Sequence, residues 1–433
     1  MSELMNKLSA AGVVQINNVR LLDPIMGSDD VRTVWLENGQ QVAMPTAGGV
    51  TQIIEGKGQW LMPALVDLCA RLREPGEQQH GTLKSEGQAA RAVGFLHVVI
   101  PPDTKPVLES GALLPGLRQK AYDDGGIYLH VIGALTKGLD GKQPANLAGL
   151  KQGKCIAVSN ARYPFIDNDA QLRTLQYAAT LGLTVFFYPS EPSLAGEGCV
   201  HDGFMASRLG LAGIPAIAET VALATQLQMV ELTGVRAHFS QLSCAASVAL
   251  IKAAKDKGLP VTADVAMHQL YLTDASIDGF NSAAHVLPPL RSEADRQGLR
   301  DGVASGVIDA ICSHHEPLSA TAKMMPFAET APGISAFDSF MALGVGLVRD
   351  GLLSPLALAE RISYAPAQIA GIDPLWQSVG GWVLVDPELR WTLTPLQMNS
   401  AGKNTPFINA MFVGRVTDVL LQVGLHGVSR HAV

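Results

Sequence analysis

The sequence predicts an α/β chain: a (β/α)8 TIM-type barrel with a small β domain built from both chain ends. Three observations predict it. Eight apolar strand candidates alternate with helical stretches between Ala64 and about Ile372. The flanking segments, 12–62 and Trp382–Gly427, are β-rich without that alternation. At 433 residues and 47% hydrophobic composition, the chain is long enough to bury a barrel core beside a companion domain.

The expected boundaries are 1–62 for the N-terminal part of the β domain, 63–375 for the barrel and 376–433 for the C-terminal β part. In 12–62, the runs VVQINNVRLLDP, VRTVWLENGQQVAM and VTQIIEGKGQWLMP read as short strands, with Asn38-Gly39 as a hairpin turn. The barrel opens with an apolar run at Leu65–Leu68 and a turn at Arg73-Glu74-Pro75-Gly76. A helix rich in small residues (Gly87, Ala89, Ala90, Ala92) follows, then a second buried strand, Leu96–Ile100. The remaining strand candidates are Ile127–Ile132, Cys155–Ser159, Thr184–Tyr188, Ala237–Gln241, Pro260–Val265 and Ile308–Ser313. Residues 316–333 read as a long surface loop after the eighth strand, at the barrel end where loops carry function. Near the C-terminus, VLVDPELRWTL is strand-like and Lys403–Phe407 is a loop.

Composition narrows the function classes. The net charge of −7 gives no electrostatic case for nucleic acid. No apolar run approaches the roughly 20 residues that span a bilayer. The first residues lack the basic start and apolar centre of a signal peptide. The five cysteines are scattered without paired spacing, which reads as reduced thiols in a cytoplasmic protein. Charged residues are only 16%, which fits either a large core or surface buried in an oligomer. The nearest glycine-rich candidate, Leu194–Gly203, lacks the following Lys-Ser/Thr of a phosphate loop.

The stretch from Pro63 to Gly76 resembles the first strand and loop of the dihydroorotases, in the cyclic-amide branch of the amidohydrolases. Pro63, Asp67, Leu72, Arg73, Glu74, Pro75 and Gly76 match that family's pattern. The similarity runs from Val31 to about Gly424. It includes Ser207–Ala216, Pro288-Pro289-Leu290-Arg291, Ala331-Pro332-Gly333-Ile334 and Asn404-Thr405-Pro406-Phe407. It implies the barrel of amidohydrolase kind with a β domain beside it.

The resemblance also implies where metal ligands would stand, and each position is substituted. Cys69 and Arg71 stand for the first-strand histidines. Asn160 stands near the place of an acidic ligand or modified lysine, with Arg162 adding a second cation. Tyr188 and Gln241 replace histidines, and Ser313 replaces the aspartate that would be ligand and proton shuttle. A guanidinium has no lone pair to give a metal, and a serine is no general base at neutral pH without a partner. The expectation is a degenerate site with no metal, no other cofactor and no catalytic residue. On the substrate side, Arg73 matches a residue that binds the substrate carboxylate. Its bland alternative is a salt bridge to Glu74 or another carboxylate at the barrel mouth. Asp103 replaces an asparagine that contacts substrate, and a carboxylate there would repel an anionic ligand by about 1–4 kcal/mol. Both read as vestigial substrate-binding positions.

Other constellations are weaker. His238, His268, His285 and His314 are weighed as a second metal site against structural histidines. His314-His315 is the best surviving metal lure, but adjacent strand residues face opposite ways. Cys69, Cys155, Cys244 and Cys312 fall near strand ends, where small buried thiols are the default. The resemblance therefore implies a dihydroorotase-like pseudoenzyme, a non-catalytic subunit that supports assembly of aspartate carbamoyltransferase in pyrimidine biosynthesis. Its partner would be the catalytic chain, in a hetero-oligomer. The alternatives are an active cyclic-amide hydrolase with an atypical metal site, and a small-anion sensor using Arg73 and Arg71.

Overall fold

Alternating apolar runs at both ends of the chain build one sheet. The computed structural model describes residues 12–45, 49–372 and 381–421. Strands β1 (Val13–Asp23), β2 (Ser28–Glu37), β3 (Gln40–Val42), β4 (Val50–Glu55) and β5 (Trp60–Pro63) come from the N-terminal end. The last two strands, β16 (Gly381–Thr392) and β17 (Met411–Leu421), come from the C-terminal end. The sheet order is β17-β16-β5-β1-β2-β3, with β4 paired to β1. Antiparallel pairing of β16 with β5, from Trp382 opposite Pro63 to Val385 opposite Trp60, joins the two ends. Asn38 and Gly39 form the two-residue turn between β2 and β3 with φ of 53° and 82°, a conformation these residue types tolerate. One face of the sheet buries Ile16, Leu21, Leu36, Leu61, Trp382 and Leu384 as its own core.

The barrel strands are β6 (Leu65–Asp67), β7 (Phe95–Ile100), β8 (Tyr128–Ala134), β9 (Ala157–Ser159), β10 (Val185–Phe187), β13 (Ala237–Phe239), β14 (Val261–Ala266) and β15 (Ala310–Cys312). Between β10 and β13, two short strands, β11 (Val200–His201) and β12 (Gly213–Ile214), pair with each other in a separate ribbon. All seven ladders of the eight-stranded sheet are parallel, in the order β15-β14-β13-β10-β9-β8-β7-β6. A parallel bridge between Ala70 and His315 links the segment after β15 to the one after β6 and nearly closes the ring. β7 is buried along its whole length, as expected for a parallel strand covered on both faces.

Each of the eight sequence-derived strand candidates overlaps one barrel strand, and β7, β8 and β14 run past the expected bounds by one or two residues. The regular ladders are mostly shorter, because the chain leaves them for the mouth loops within a few residues. The small-residue helix is Leu83–Ala92, capped by Thr82 and Ser85 in a reciprocal box. Its small residues have a steric reason: a side-chain carbon on Gly87 would come within 2.7 Å of the Gly125 backbone. Phe95 packs against Phe337 and Phe340 at ring distances of 5.3 and 4.8 Å, joining the second barrel strand to the helix Phe337–Arg349.

The segment 316–333 is the surface loop expected over most of its length and departs from it at its start. Its start, Glu316 to Leu318, is buried in the barrel mouth and Phe327 and Thr330 are buried anchors, while Ala320, Thr321, Met324, Met325 and Pro326 between them are exposed as a surface loop. No described helix is long and apolar enough to cross a membrane. The expected boundary at 375/376, the end of the β-rich segment at Gly427 and the limit of the resemblance near Gly424 lie outside the described residues, as do the first residues, 1–11.

Candidate site at the barrel mouth

The site begins on β6. Asp67 is fully buried, and its carboxylate accepts hydrogen bonds from Ser313 N at 2.8 Å, from Cys69 N at 3.3 Å and from the Ser313 hydroxyl. These bonds tie the end of β15 to β6. Burial pushes the Asp67 carboxyl up to about 7, and the hydrogen bonds only partly offset this. Ser313, expected at a lost ligand position, is therefore engaged below the mouth.

Past β6 the chain rises to Cys69 and Arg71. Burial pushes the Cys69 thiol far up, which makes it a poor thiolate. Arg71 reaches two carboxylates. It donates to Asp103 Oδ2 through Nε at 3.0 Å and Nη2 at 2.7 Å, and to Glu316 Oε1 through Nη1. Glu316 is also contacted by Arg162 Nη2 at 2.9 Å. That same nitrogen donates to Leu287 O at 2.7 Å and to His314 Nε2 at 2.9 Å. Burial raises the Glu316 carboxyl, but the guanidiniums of Arg162 and Arg71 outweigh it and hold the group well below the usual carboxylate range. Burial likewise opposes the charge on Arg71, and Asp103 and Glu316 reverse that. Two guanidiniums thus face two carboxylates at the centre of the mouth.

This geometry corrects the reading of Asp103. Its charge is neutralised by Arg71, so it does not stand as a bare anion repelling ligands. Arg73 makes the salt bridge weighed as its alternative, to a carboxylate other than Glu74. Arg73 donates to Glu77 Oε2 at 3.0 Å and to Pro317 O at 2.9 Å. Glu74 instead receives Lys120 and Leu83 N. Arg73 has a φ of 65°, so the chain turns there and sends Glu74 to the other side.

Four of the six substituted positions come together. Cys69, Arg71, Tyr188 and Gln241 line one cavity of about 30 Å³ with Arg162 and Ser240. Asn160 is held elsewhere, accepting from Thr136 Oγ1 at 2.5 Å and donating to Tyr163 O at 2.9 Å. Gln241 N donates to Asp264 Oδ1 at 2.6 Å. Tyr188 lies beneath Arg162, whose guanidinium carbon is 5.6 Å from the ring centre. Burial pushes its phenol up, with Arg162 pulling the other way.

The histidines are engaged separately. His238 bonds Thr262 Oγ1 and Asp264 Oδ2, each at 2.9 Å. His285 bonds Thr330 Oγ1 at 2.7 Å, and burial lowers it to about 4. His268 stacks on His314 at 5.9 Å, and burial lowers it too to about 4. His315 turns away from His314, bonds Glu86 Oε2 at 2.9 Å and stacks on Phe337 at 3.8 Å. The separation was expected from strand alternation. Here it comes from a left-handed φ of 50° at His314, beyond the end of β15. Among the described residues, no three His, Cys, Asp or Glu side chains are grouped so as to hold a metal ion. All five cysteines are free and buried.

Sequence reasoning missed Glu316 as the centre of this network. The available signal was an acidic residue directly after His314-His315, at the end of the eighth strand. It also missed Asp67 and Asp264 as buried carboxylates, although each interrupts an otherwise apolar run.

Comparison with known proteins adds four findings. The family description "Dihydro-orotase-like" matches residues 58–247. A Pseudomonas aeruginosa protein named "Dihydroorotase-like protein" is 43% identical over 414 residues, covering 94% of this chain and 98% of its own length. A Desulfotalea psychrophila protein named "Dihydroorotase" is 34% identical over 409 residues, covering 94% and 97%. Among solved structures, the L-hydantoinase from Arthrobacter aurescens matches with a TM-score of 0.83 at 18% identity, over 95% of each chain. That similarity concerns the fold.

Proposed function

The chain belongs to the dihydroorotase-like family, and we propose that it is a pseudoenzyme of that family: a non-catalytic, cytoplasmic subunit needed for assembly and activity of aspartate carbamoyltransferase. The observation that carries the non-catalytic reading is the Arg71–Glu316–Arg162 network with Asp103. Hydrolysis of a cyclic amide on this scaffold needs a divalent ion to make hydroxide near neutral pH and to polarise the carbonyl. The groups present do not fit one. A guanidinium has no lone pair, the Cys69 thiol is held protonated by burial, and Ser313 is bound to Asp67. The two carboxylates of the cavity, Asp103 and Glu316, are already paired with Arg71 and Arg162 and are not free to hold an ion.

The partner assignment is by analogy with such degenerate chains. One observation supports a role in an assembly: the charged fraction is only 16%.

The test has two parts. The purified chain is assayed for dihydroorotate hydrolysis, and it is mixed with aspartate carbamoyltransferase catalytic chains and fractionated by size. The expected outcome is no hydrolysis, a joint complex, and transcarbamoylase activity that falls when this chain is withheld. Turnover by the chain alone overturns the pseudoenzyme reading. Separate elution with full transcarbamoylase activity overturns the subunit reading.

A further inference from the structure

One helix of the barrel's outer ring presents a different surface from its neighbours. The helix Ile217–Thr233 runs 17 residues and carries only two charged side chains, Glu219 and Glu231. Glu219 is buried and accepts from Ser243 N at 3.0 Å. Glu231 stands near the end of the helix, 3.6 Å from Lys257 Nζ. The helices Asn168–Thr180 and Ala245–Asp256 pack against it. Each of these keeps an exposed ion pair four residues apart, Asp169–Arg173 at 2.8 Å and Lys252–Asp256 at 2.6 Å. Such pairs are the usual covering of a solvated helix face.

The outward side of Ile217–Thr233 follows helical spacing. Leu223, Leu227 and Val230 are buried against the barrel. The opposite side carries Ile217, Val221, Ala224, Gln228 and Leu232, at steps of four, three, four and four. These steps keep the five side chains on one stripe. Ile217 is 54% exposed, Val221 38% and Leu232 70%. No charge falls on the stripe. A helix that is apolar on both sides is the pattern of a helix covered on both sides. The stripe also reads nearly the same from either end. A large apolar side chain stands at each end, and the small Ala224 and Thr225 stand in the middle.

We propose that this stripe is a self-association surface, on which the same helix of a second copy packs antiparallel about a two-fold axis between Ala224 and Thr225. Ile217 then meets Leu232 of the second copy, Val221 meets Gln228 of the second copy, and each contact occurs twice. Small side chains at the axis let the helices approach to roughly 8–10 Å. Steps of four and three suit a shallow crossing, so the contact runs along the whole helix, about 25 Å. The uncharged stripe favours a second copy as the occupant. An identical surface brings no like charge against itself, whereas a partner face bearing charges would leave them unpaired here. One helix pair falls short of the roughly 1,200 Å² of a standard interface. The dimer therefore exchanges with monomer, with a Kd of about 10–100 μM. The same helix walls a cleft of about 920 Å³ beside the barrel mouth through Ala218, Val221 and Ala222, so the second copy sits at the rim of that cleft. The proposal concerns the chain alone and does not depend on the transcarbamoylase.

The experiment is sedimentation velocity of the purified full-length chain from about 1 to about 300 μM, a range that brackets the expected Kd. The expected result is a shift from monomer to dimer with concentration. Val221→Arg weakens it by about tenfold or more, because each dimer would bury two unpaired guanidiniums. Gln228→Arg, at an exposed position, does the same. A thermal unfolding midpoint confirms that each variant is folded. Orientation is read by oxidative cross-linking. All five native cysteines are buried, so introduced surface thiols are the ones that react. A mixture of Ile217→Cys and Leu232→Cys chains gives a mixed disulfide between the two variants, and neither variant gives one alone. The proposal is overturned if the chain stays monomeric throughout, or if the dimer persists unchanged in folded Val221→Arg and Gln228→Arg. It is also overturned if Ile217→Cys cross-links to itself as readily as to Leu232→Cys, which would make the helices parallel. A wild-type chain that stays monomeric alone, while Val221→Arg abolishes co-elution with transcarbamoylase chains, overturns it as well and assigns the stripe to that partner.

Discussion

The two sides of the barrel rim handle charge differently. On the β6 and β15 side, Arg71 meets Asp103 and Glu316, and Arg73 meets Glu77. These cations carry their anions with them, and the space left over is about 30 Å³ on each of two recesses. On the β9 and β10 side, Arg162 uses one nitrogen and faces a cleft of about 920 Å³. The difference teaches that the centre of the mouth is filled by a neutral ion-pair network while the flank is left open.

The comparison can be broken most strongly at Glu316, which is buried and touches both central guanidiniums. Glu316→Gln leaves two buried cations facing one carboxylate. The expected cost is about 3–5 kcal/mol of stability, the usual effect of removing one partner of a buried ion pair. Denaturant unfolding measures it, and a loss below about 1 kcal/mol would mean that water already screens this side.

Asp67 sharpens the contrast between the network and the layer beneath it. Its folded pKa is raised to about 7, so the folded state holds a proton that the unfolded chain releases near pH 4. The stability this gives is full below about pH 4 and is lost as pH rises through about 7. His268 and His285 oppose it: their lowered values cost stability as pH falls from 6.5 toward about 4. The useful quantity is therefore the difference between wild type and Asp67→Asn across pH 4–7. That difference should change by about 3 kcal/mol, the neutral variant gaining relative to wild type as pH rises. A flat difference would show Asp67 to be an ordinary ionised carboxylate.

Asp103→Asn should cost about 2 kcal/mol, since Arg71 keeps Glu316 but loses a charge-assisted bond. Arg73→Met should be the mildest, about 1 kcal/mol or less, because its partner Glu77 is partly exposed. Thermal or denaturant midpoints rank the two, and the reverse order would make Arg73 the anchor of this side.

Much of the fold was legible in the sequence because its signals are local. A continuous apolar run such as Phe95–Ile100 specifies a strand covered on both faces without reference to any partner. Asn38-Gly39 specifies its hairpin in the same way. The meeting of the two chain ends was legible only through the β-rich pattern on both flanks. The site was half legible. The residue types at Cys69, Arg71, Tyr188 and Gln241 announced a changed chemistry, and these four do converge. Their pairing was hidden, because Arg71 finds Asp103 32 positions away and Glu316 245 positions away. For Arg73 the sequence left Glu74 or another mouth carboxylate open; the left-handed turn at Arg73 turns Glu74 away and places Glu77 in reach. Burial of the two ends of 316–333 was hidden because their partner is distant: Asn404, far along the chain, accepts from Leu318 N and donates to Glu316 O and Gly333 O.

The central claim is that a guanidinium–carboxylate network holds the place at the mouth where a catalytic ion would sit. Its most direct test is equilibrium dialysis of the purified full-length chain against zinc, followed by metal analysis and an unfolding curve with and without the ion. The account predicts substoichiometric zinc and an unchanged unfolding midpoint. Stoichiometric zinc that raises the midpoint, and is lost when Cys69 and Gln241 are replaced by alanine, would contradict it.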